Sequence, residues 1–175
     1  MRVVAGAFKG RRLQAPKGRR TRPTADRVRE ALFSMLGDVS GARVLDLYAG
    51  SGALGIEALS RGAASATFVD RDPRAIAAIR RNLDAVGTEQ EVRRLDALRY
   101  LAGAEDASFD LVFVDPPYDS GGRLGDSLSE RLPRILTEHA RIVTESHKRT
   151  PLQLDLPLVR ERAYGDTRIA VHRRG

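Results

Sequence analysis

Asp115-Pro116-Pro117-Tyr118 closes the apolar run Phe109 to Val114 with an acid, two prolines and an aromatic ring. Two successive prolines can neither donate to a strand ladder nor carry on into a helix, so they hold the backbone where a buried strand ends. A plain Pro-Pro turn would look the same in isolation. The flanking residues add chemistry. The Tyr118 ring can stack on a nucleobase, while the Asp115 carboxylate and the Pro116 carbonyl, released from ladder duty, can accept two hydrogen bonds from an exocyclic NH2. Asp115, Pro116, Pro117 and Tyr118 are the candidate catalytic set.

A second segment, Asp46-Leu47-Tyr48-Ala49-Gly50-Ser51-Gly52-Ala53-Leu54-Gly55, joins a strand-like run to a helix-like one. Gly50 and Gly52 let the backbone pass close to a ligand, and the helix start beyond them offers free N–H groups. Gly50, Gly52 and Gly55 also match the dinucleotide fingerprint, with Asp70 standing where a ribose-binding acid would, so a nicotinamide-dependent oxidoreductase is a rival reading. The acid at Asp46 argues the other way. It would repel a pyrophosphate but suits the cationic amino-acid end of a cofactor such as S-adenosylmethionine. Asp72 is the better helix cap, which leaves Asp70 for two ribose hydroxyls. Asp96 can cap a helix, accept from an adenine amino group, or do both; Tyr48 is either core or pocket lining.

The charge is unevenly spread. The 175 residues sum to +7, yet residues 1–30 alone carry +8, so the remainder sums to −1. A near-neutral body with a basic arm fits binding to a phosphate backbone, where each neutralised phosphate releases counterions. The candidate contacts are Lys9, Arg11, Arg12, Lys17, Arg19, Arg20 and Arg22. Gly6, Phe8, Gly10 and Leu13 are spaced for a short hairpin within the arm. There are no cysteines, and the three histidines, His139, His147 and His172, have no ligand spacing among themselves, so neither a metal nor a thiol nucleophile is expected. No apolar stretch is long enough for a membrane helix, and the first residues lack a signal-peptide core; a cytoplasmic protein without a membrane partner is expected.

The elements that must position these residues alternate. Thr24 reads as the N-cap of a helix from about Ala25 to Leu36, with an apolar stripe at Val28, Ala31, Leu32 and Met35 and a stop at Gly37. Strands are expected at 44–48, 66–70, 92–95, 109–114 and 140–144. Helices are expected at 53–61, from Pro73 behind the Asp72 cap with Ile76, Ile79, Leu83 and Val86 on one face, at 97–101, and at 124–136, where Pro133 should kink or split the helix. Leu158 to Tyr164 and Thr167 to Val171 alternate around Gly165-Asp166 as a hairpin. This rhythm predicts an α/β fold with a mostly parallel sheet closed by an antiparallel edge. Residues 1–23 form the basic arm and 24–175 one globular domain.

Asp46-Leu-Tyr-Ala-Gly-Ser-Gly, Asp70, Asp96 and Asp115-Pro-Pro-Tyr118, in that order, resemble the motifs of S-adenosylmethionine-dependent amino-methyltransferases. With Gly10-Arg11-Arg12-Leu13, the run Arg22 to Glu30 and Tyr164-Gly165-Asp166-Thr167, the chain resembles the RsmD-type bacterial 16S rRNA guanine-N2 methyltransferases over nearly its whole length. The resemblance implies a Rossmann-like class I methyltransferase fold with a seven-stranded sheet. It implies S-adenosylmethionine as cofactor, S-adenosylhomocysteine as product, and the small ribosomal subunit as partner of an enzyme acting as a monomer. Asp46, Gly50 and Gly52 would hold the methionine and ribose side, Asp70 the ribose and Asp96 the adenine, with Tyr48 and Ala49 of the same loop also binding the cofactor. Thr24 would approach the methionine carboxylate, and Asp115 to Tyr118 would hold the target base. Asp-Pro-Pro-Tyr also serves adenine-N6 methylation of DNA, which stands as the alternative; the chain lacks an evident domain for reading bases in a major groove.

Overall fold

The computed structural model describes residues 1–16, 26–117 and 123–175. Among them the elements run α1 (Asp26–Leu36), β1 (Arg43–Leu47), α2 (Ala53–Ser60), β2 (Ser65–Asp70), α3 (Pro73–Val86), β3 (Glu91–Arg94), α4 (Ala97–Gly103), β4 (Phe109–Val114), α5 (Arg123–Ile135), β5 (Leu136–His147), β6 (Leu158–Tyr164) and β7 (Thr167–Arg173). The strands form one seven-stranded sheet in the order β3-β2-β1-β4-β5-β7-β6. The pairs from β3 to β5 are parallel and the last two antiparallel. This is the α/β architecture expected from the alternating pattern.

The order has a functional consequence. From β1 the chain proceeds to β2 and β3 on one side, then returns to β4 on the other. The strand order therefore reverses between β1 and β4, and in doubly wound sheets such a switch point marks the crevice at the carboxyl ends where ligands bind. Both faces are covered. Val44, Phe68 and Phe113 pack against Leu32, Phe33, Ile56 and Ile79 of α1 to α3 on one face. Leu45, Leu47, Val112 and Val114 meet Leu101, Leu128 and Leu132 of α4 and α5 on the other. Burial on both faces explains why β1 and β4 are continuous apolar runs.

Three expectations need correction. The buried face of α1 is Arg29, Leu32, Phe33 and Leu36 rather than Val28, Ala31, Leu32 and Met35. The true stripe was disguised because a buried arginine sits in it: Arg29 donates to the Arg2 carbonyl and pairs with Asp26. Pro133 neither splits nor ends α5, which runs on to Ile135; the proline lies so near the C-terminus that only the last turn feels the lost hydrogen bond. Finally, β5 starts at Leu136 instead of about residue 140, with a register irregularity opposite Phe109 and Leu111.

The N-terminal segment forms a narrow hairpin whose ladder is one bridge, Arg2 with Arg12. The amides of Val3, Gly10 and Leu13 donate across it to the carbonyls of Arg11, Val3 and Met1. Val3 and Leu13 are buried in the core under α1 to α3. Much of its fixation comes from side chains of the body. Glu57 of α2, fully buried, accepts from the amides of Val4 and Ala5 at 2.8 and 3.0 Å, and Ser60 Oγ accepts from Phe8 N at 2.9 Å.

Candidate active site

The segment after β1 is gripped from both ends by carboxylates. Asp46 Oδ2 accepts from the Gly55 amide at 3.0 Å, and Asp70 Oδ2 accepts from the Gly50 amide at 3.0 Å. Ala49 N adds a bond to the Val69 carbonyl. Gly50 and Gly52 have φ of 58° and 76°, in the left-handed region that glycine enters without a Cβ penalty. A Cβ at Gly50 would meet nothing nearer than the Tyr48 carbonyl at 3.9 Å, so the loop is open there to a ligand. Gly55 serves packing: a Cβ would lie 2.4 Å from the Phe68 ring, the close helix-to-strand approach that the third glycine of such loops provides.

Tyr48 is left-handed too, at φ 58°, without glycine's freedom. A bulky residue in this region is strained, and such strain gathers at functional sites. Its ring is half-buried against the α4 and α5 core. Burial pushes its hydroxyl up to about 12, and the negative charge of Asp96 adds to the shift while Arg71 opposes it. Tyr48 thus lies near Asp96, on the side where an adenine is expected.

Asp46 is 2% exposed. Its carboxyl is raised to about 8, first by burial and further by the charge of Asp70, with the Gly55 hydrogen bond working against both. Two acids converge on one loop; burial holds Asp46 in its neutral form in the empty site, and a cation placed beside it would favour the ionised form. Asp96 caps α4, its Oδ1 accepting from Leu98 N and Arg99 N at 3.0 and 3.3 Å. Asp72 caps α3 by accepting from Arg74 N, as its position before Pro73 predicts.

Leu47 pairs with Val114 in the parallel ladder, so Tyr48 and Asp115 leave the sheet side by side. Through the ladder Asp46 shares a face with Phe68 and Phe113, and Asp70 follows Phe68 on that face, while Asp115 comes directly after the end of β4. Asp115 is half-buried, Pro116 buried and Pro117 exposed. One end of the sheet therefore gathers Asp46, Tyr48, Ala49, Gly50, Gly52, Asp70, Asp96, Asp115, Pro116 and Pro117. Lys9, Arg11 and Arg12 are exposed on the docked hairpin. Tyr118, Thr24, Lys17, Arg19, Arg20 and Arg22 lie outside the described residues. Glu57, Ser60 and Asn82, which fasten the hairpin, were not singled out from sequence. Their signal was a polar residue inside an apolar helix face.

Among the described residues, no helix is long and apolar enough to cross a membrane, and no group of three or more His, Asp or Glu is placed to hold a metal ion.

Sheet order, the strand reversal between β1 and β4 and the pinned glycine loop define a Rossmann-like class I methyltransferase fold. Residues 1–173 match the family described as Conserved hypothetical protein 95. The chain belongs to this family, the RsmD group whose motifs it carries. It is 39% identical over 191 residues to YlbH of Bacillus subtilis, named as a proposed rRNA methyltransferase, with 99% of both chains covered. It is 42% identical over 123 residues to the Ribosomal RNA small subunit methyltransferase D of Escherichia coli; this match takes in 69% of the chain and 62% of that relative's length. A solved Escherichia coli structure, yhhF, named as a proposed methyltransferase, superposes with a TM-score of 0.83 at 34% identity, covering 99% of this chain and 97% of that one.

Proposed function

We propose that this protein transfers a methyl group from S-adenosylmethionine to the exocyclic N2 amine of a guanine in 16S rRNA. The observation that carries the reading is the pairing of Leu47 with Val114, because it joins the end of the glycine loop and the Asp115-Pro116 corner at one crevice. The relatives named as rRNA methyltransferases favour ribosomal RNA over duplex DNA as substrate.

The site residues fit the cofactor. A cationic amino-acid end beside Asp46 would draw its carboxyl, raised to about 8 by burial, back to the ionised form, whereas a pyrophosphate would add negative charge next to Asp46 and Asp70. Asp70 already holds Gly50 N and Asp72 N, yet a carboxylate has lone pairs left for ribose hydroxyls. Asp96, capping α4 through Oδ1, would take the adenine end with Tyr48 beside it. When bound, S-adenosylmethionine supplies an already activated methyl group.

What remains for the protein is positioning. Guanine N2 is conjugated with its ring and is a poor nucleophile. Hydrogen bonds from it to the Asp115 carboxylate and the Pro116 carbonyl orient the amine, and the Tyr118 ring stacks on the extruded base. The Asp115 carboxylate can accept the proton that N2 sheds.

The test is transfer of labelled methyl from S-adenosylmethionine to small-subunit rRNA, with duplex DNA in a parallel reaction, followed by mapping of the modified base. N2-methylguanine in the rRNA is expected; N6-methyladenine in DNA would establish the alternative. Asp115→Ala should abolish transfer while S-adenosylhomocysteine still binds, and full activity in that variant would refute the assignment.

A further inference from the structure

Asn82 lies on α3 between Ile79 and Leu83, 1% exposed, and its side-chain amide reaches two separate segments. Nδ2 donates to the Ser51 carbonyl of the glycine loop at 2.8 Å and to the Gln14 carbonyl of the arm at 3.0 Å. Oδ1 accepts from Gln14 N at 2.8 Å. The amide thus pairs with the Gln14 backbone as a neighbouring strand would, and commits its second N–H to the loop. A parallel link joins Ser51 Oγ to Met1 Sδ at 3.5 Å. The apolar neighbours Ile76, Ile79, Leu83 and Val86 keep water away, so a broken bond there strands a buried polar group.

We infer that Asn82 is a positioning residue that makes the cofactor loop and the RNA-docking arm one mechanical unit. A ligand that orders Ser51 through the loop also orders Gln14, and by linkage a ligand on the arm returns the same coupling to the loop. The inference rests on the proposed reading of the loop as the S-adenosylmethionine site and of the arm as an RNA contact. It gives the interior of α3 a part in substrate selection: an arm seated on RNA favours a loop set for the cofactor, so the two are held together at the moment of transfer.

Hydrogen exchange followed by mass spectrometry on the full chain, with and without saturating S-adenosylhomocysteine, tests this through peptides covering residues 47–56 and 1–16. In the wild type, S-adenosylhomocysteine should slow exchange in both, by roughly 5-fold or more in the arm, the lower end of measured couplings. Asn82→Asp keeps the acceptor for Gln14 N but removes both donors and sets a carboxylate against two carbonyls. In that variant the loop should still respond and the arm should not. A merely structural role would raise exchange in both segments equally and leave the ligand dependence intact. If the wild-type loop slows and the arm does not, the inference is overturned and the cofactor reading stands. An arm response that survives in Asn82→Asp overturns it too. If neither segment slows, the cofactor reading itself fails and the inference with it. The wild-type comparison decides even where the variant folds poorly.

Discussion

The Asp70 carboxylate reaches from the end of β2 to hold the Gly50 amide at 3.0 Å, while its other oxygen holds Asp72 N at 2.8 Å. One side chain therefore shapes the glycine loop and sets up the start of α3. Asp70→Ala removes this grip together with the proposed acceptor for the ribose hydroxyls. Loss of charge-assisted hydrogen bonds of about 1.5 to 3 kcal/mol predicts roughly 10- to 100-fold weaker S-adenosylhomocysteine binding in calorimetric titration. Affinity unchanged within error would remove Asp70 from the site.

Asp46 predicts a dependence on pH. Its pKa rises from an ordinary 3.8 to about 8 in the folded chain, mainly through burial, so the folded state keeps a proton that the unfolded state releases. That stabilisation is complete below about pH 4 and drains away as pH climbs toward 8. Without ligand, the Tm of the wild type should fall more steeply between pH 5 and 8 than that of Asp46→Asn, whose amide oxygen can still accept from Gly55 N. Parallel slopes in differential scanning calorimetry would show that Asp46 is not held protonated.

The exposed arginines of the hairpin should report on RNA. Arg12 has no ion pair among the described residues, and Arg11 makes one long contact, to the Ala85 carbonyl at 3.5 Å. Replacing both with alanine is expected to weaken rRNA binding and to flatten the plot of log affinity against log salt by up to about two phosphate contacts, leaving S-adenosylhomocysteine affinity unchanged. A preserved slope would return the arm to a solubility role.

Glu57 carries much of the docking of the hairpin. Its two oxygens satisfy Val4 N and Ala5 N, and Oε1 also takes Arg61 Nε at 2.8 Å. Arg61 in turn lies over the Phe33 ring at 4.7 Å, tying α2 to α1. Glu57→Ala should cost about 2 to 4 kcal/mol in urea unfolding, since buried donors lose their partner. The same variant should be cut by trypsin after Arg11 or Arg12 under conditions in which the wild type resists. Equal resistance would mean that Ser60, Asn82 and the apolar contacts of Val3 and Leu13 hold the hairpin without help from Glu57.

Much of the frame was legible because its signals are local. The apolar run closed by two prolines marked β4 to the residue, Pro73 behind Asp72 marked the start of α3, and Gly165-Asp166 marked the terminal hairpin. The gathering of Asp46, Asp70 and Asp115 at one end of the sheet follows from the same strand ends once the βα order is known. The docking of the arm was not legible. Its bonds join Val4 to Glu57, Phe8 to Ser60 and Gln14 to Asn82 across more than fifty residues, and each partner sits within a helix that otherwise reads as apolar packing. The buried face of α1 was misread for a related reason: Arg29 looks like part of a basic surface until the Arg2 carbonyl is brought against it.

Gly6, at φ 82°, crosses the end of α2 so closely that a methyl group there would sit 1.8 Å from the Ser60 carbonyl oxygen. Its neighbours are Ala5 and Ala7, which both carry that methyl. Sliding the hairpin by one residue in either direction would drive an alanine into the carbonyl, so slippage is barred both ways. The arm has one seat, and with it Arg11 and Arg12 always stand at the same reach from the crevice.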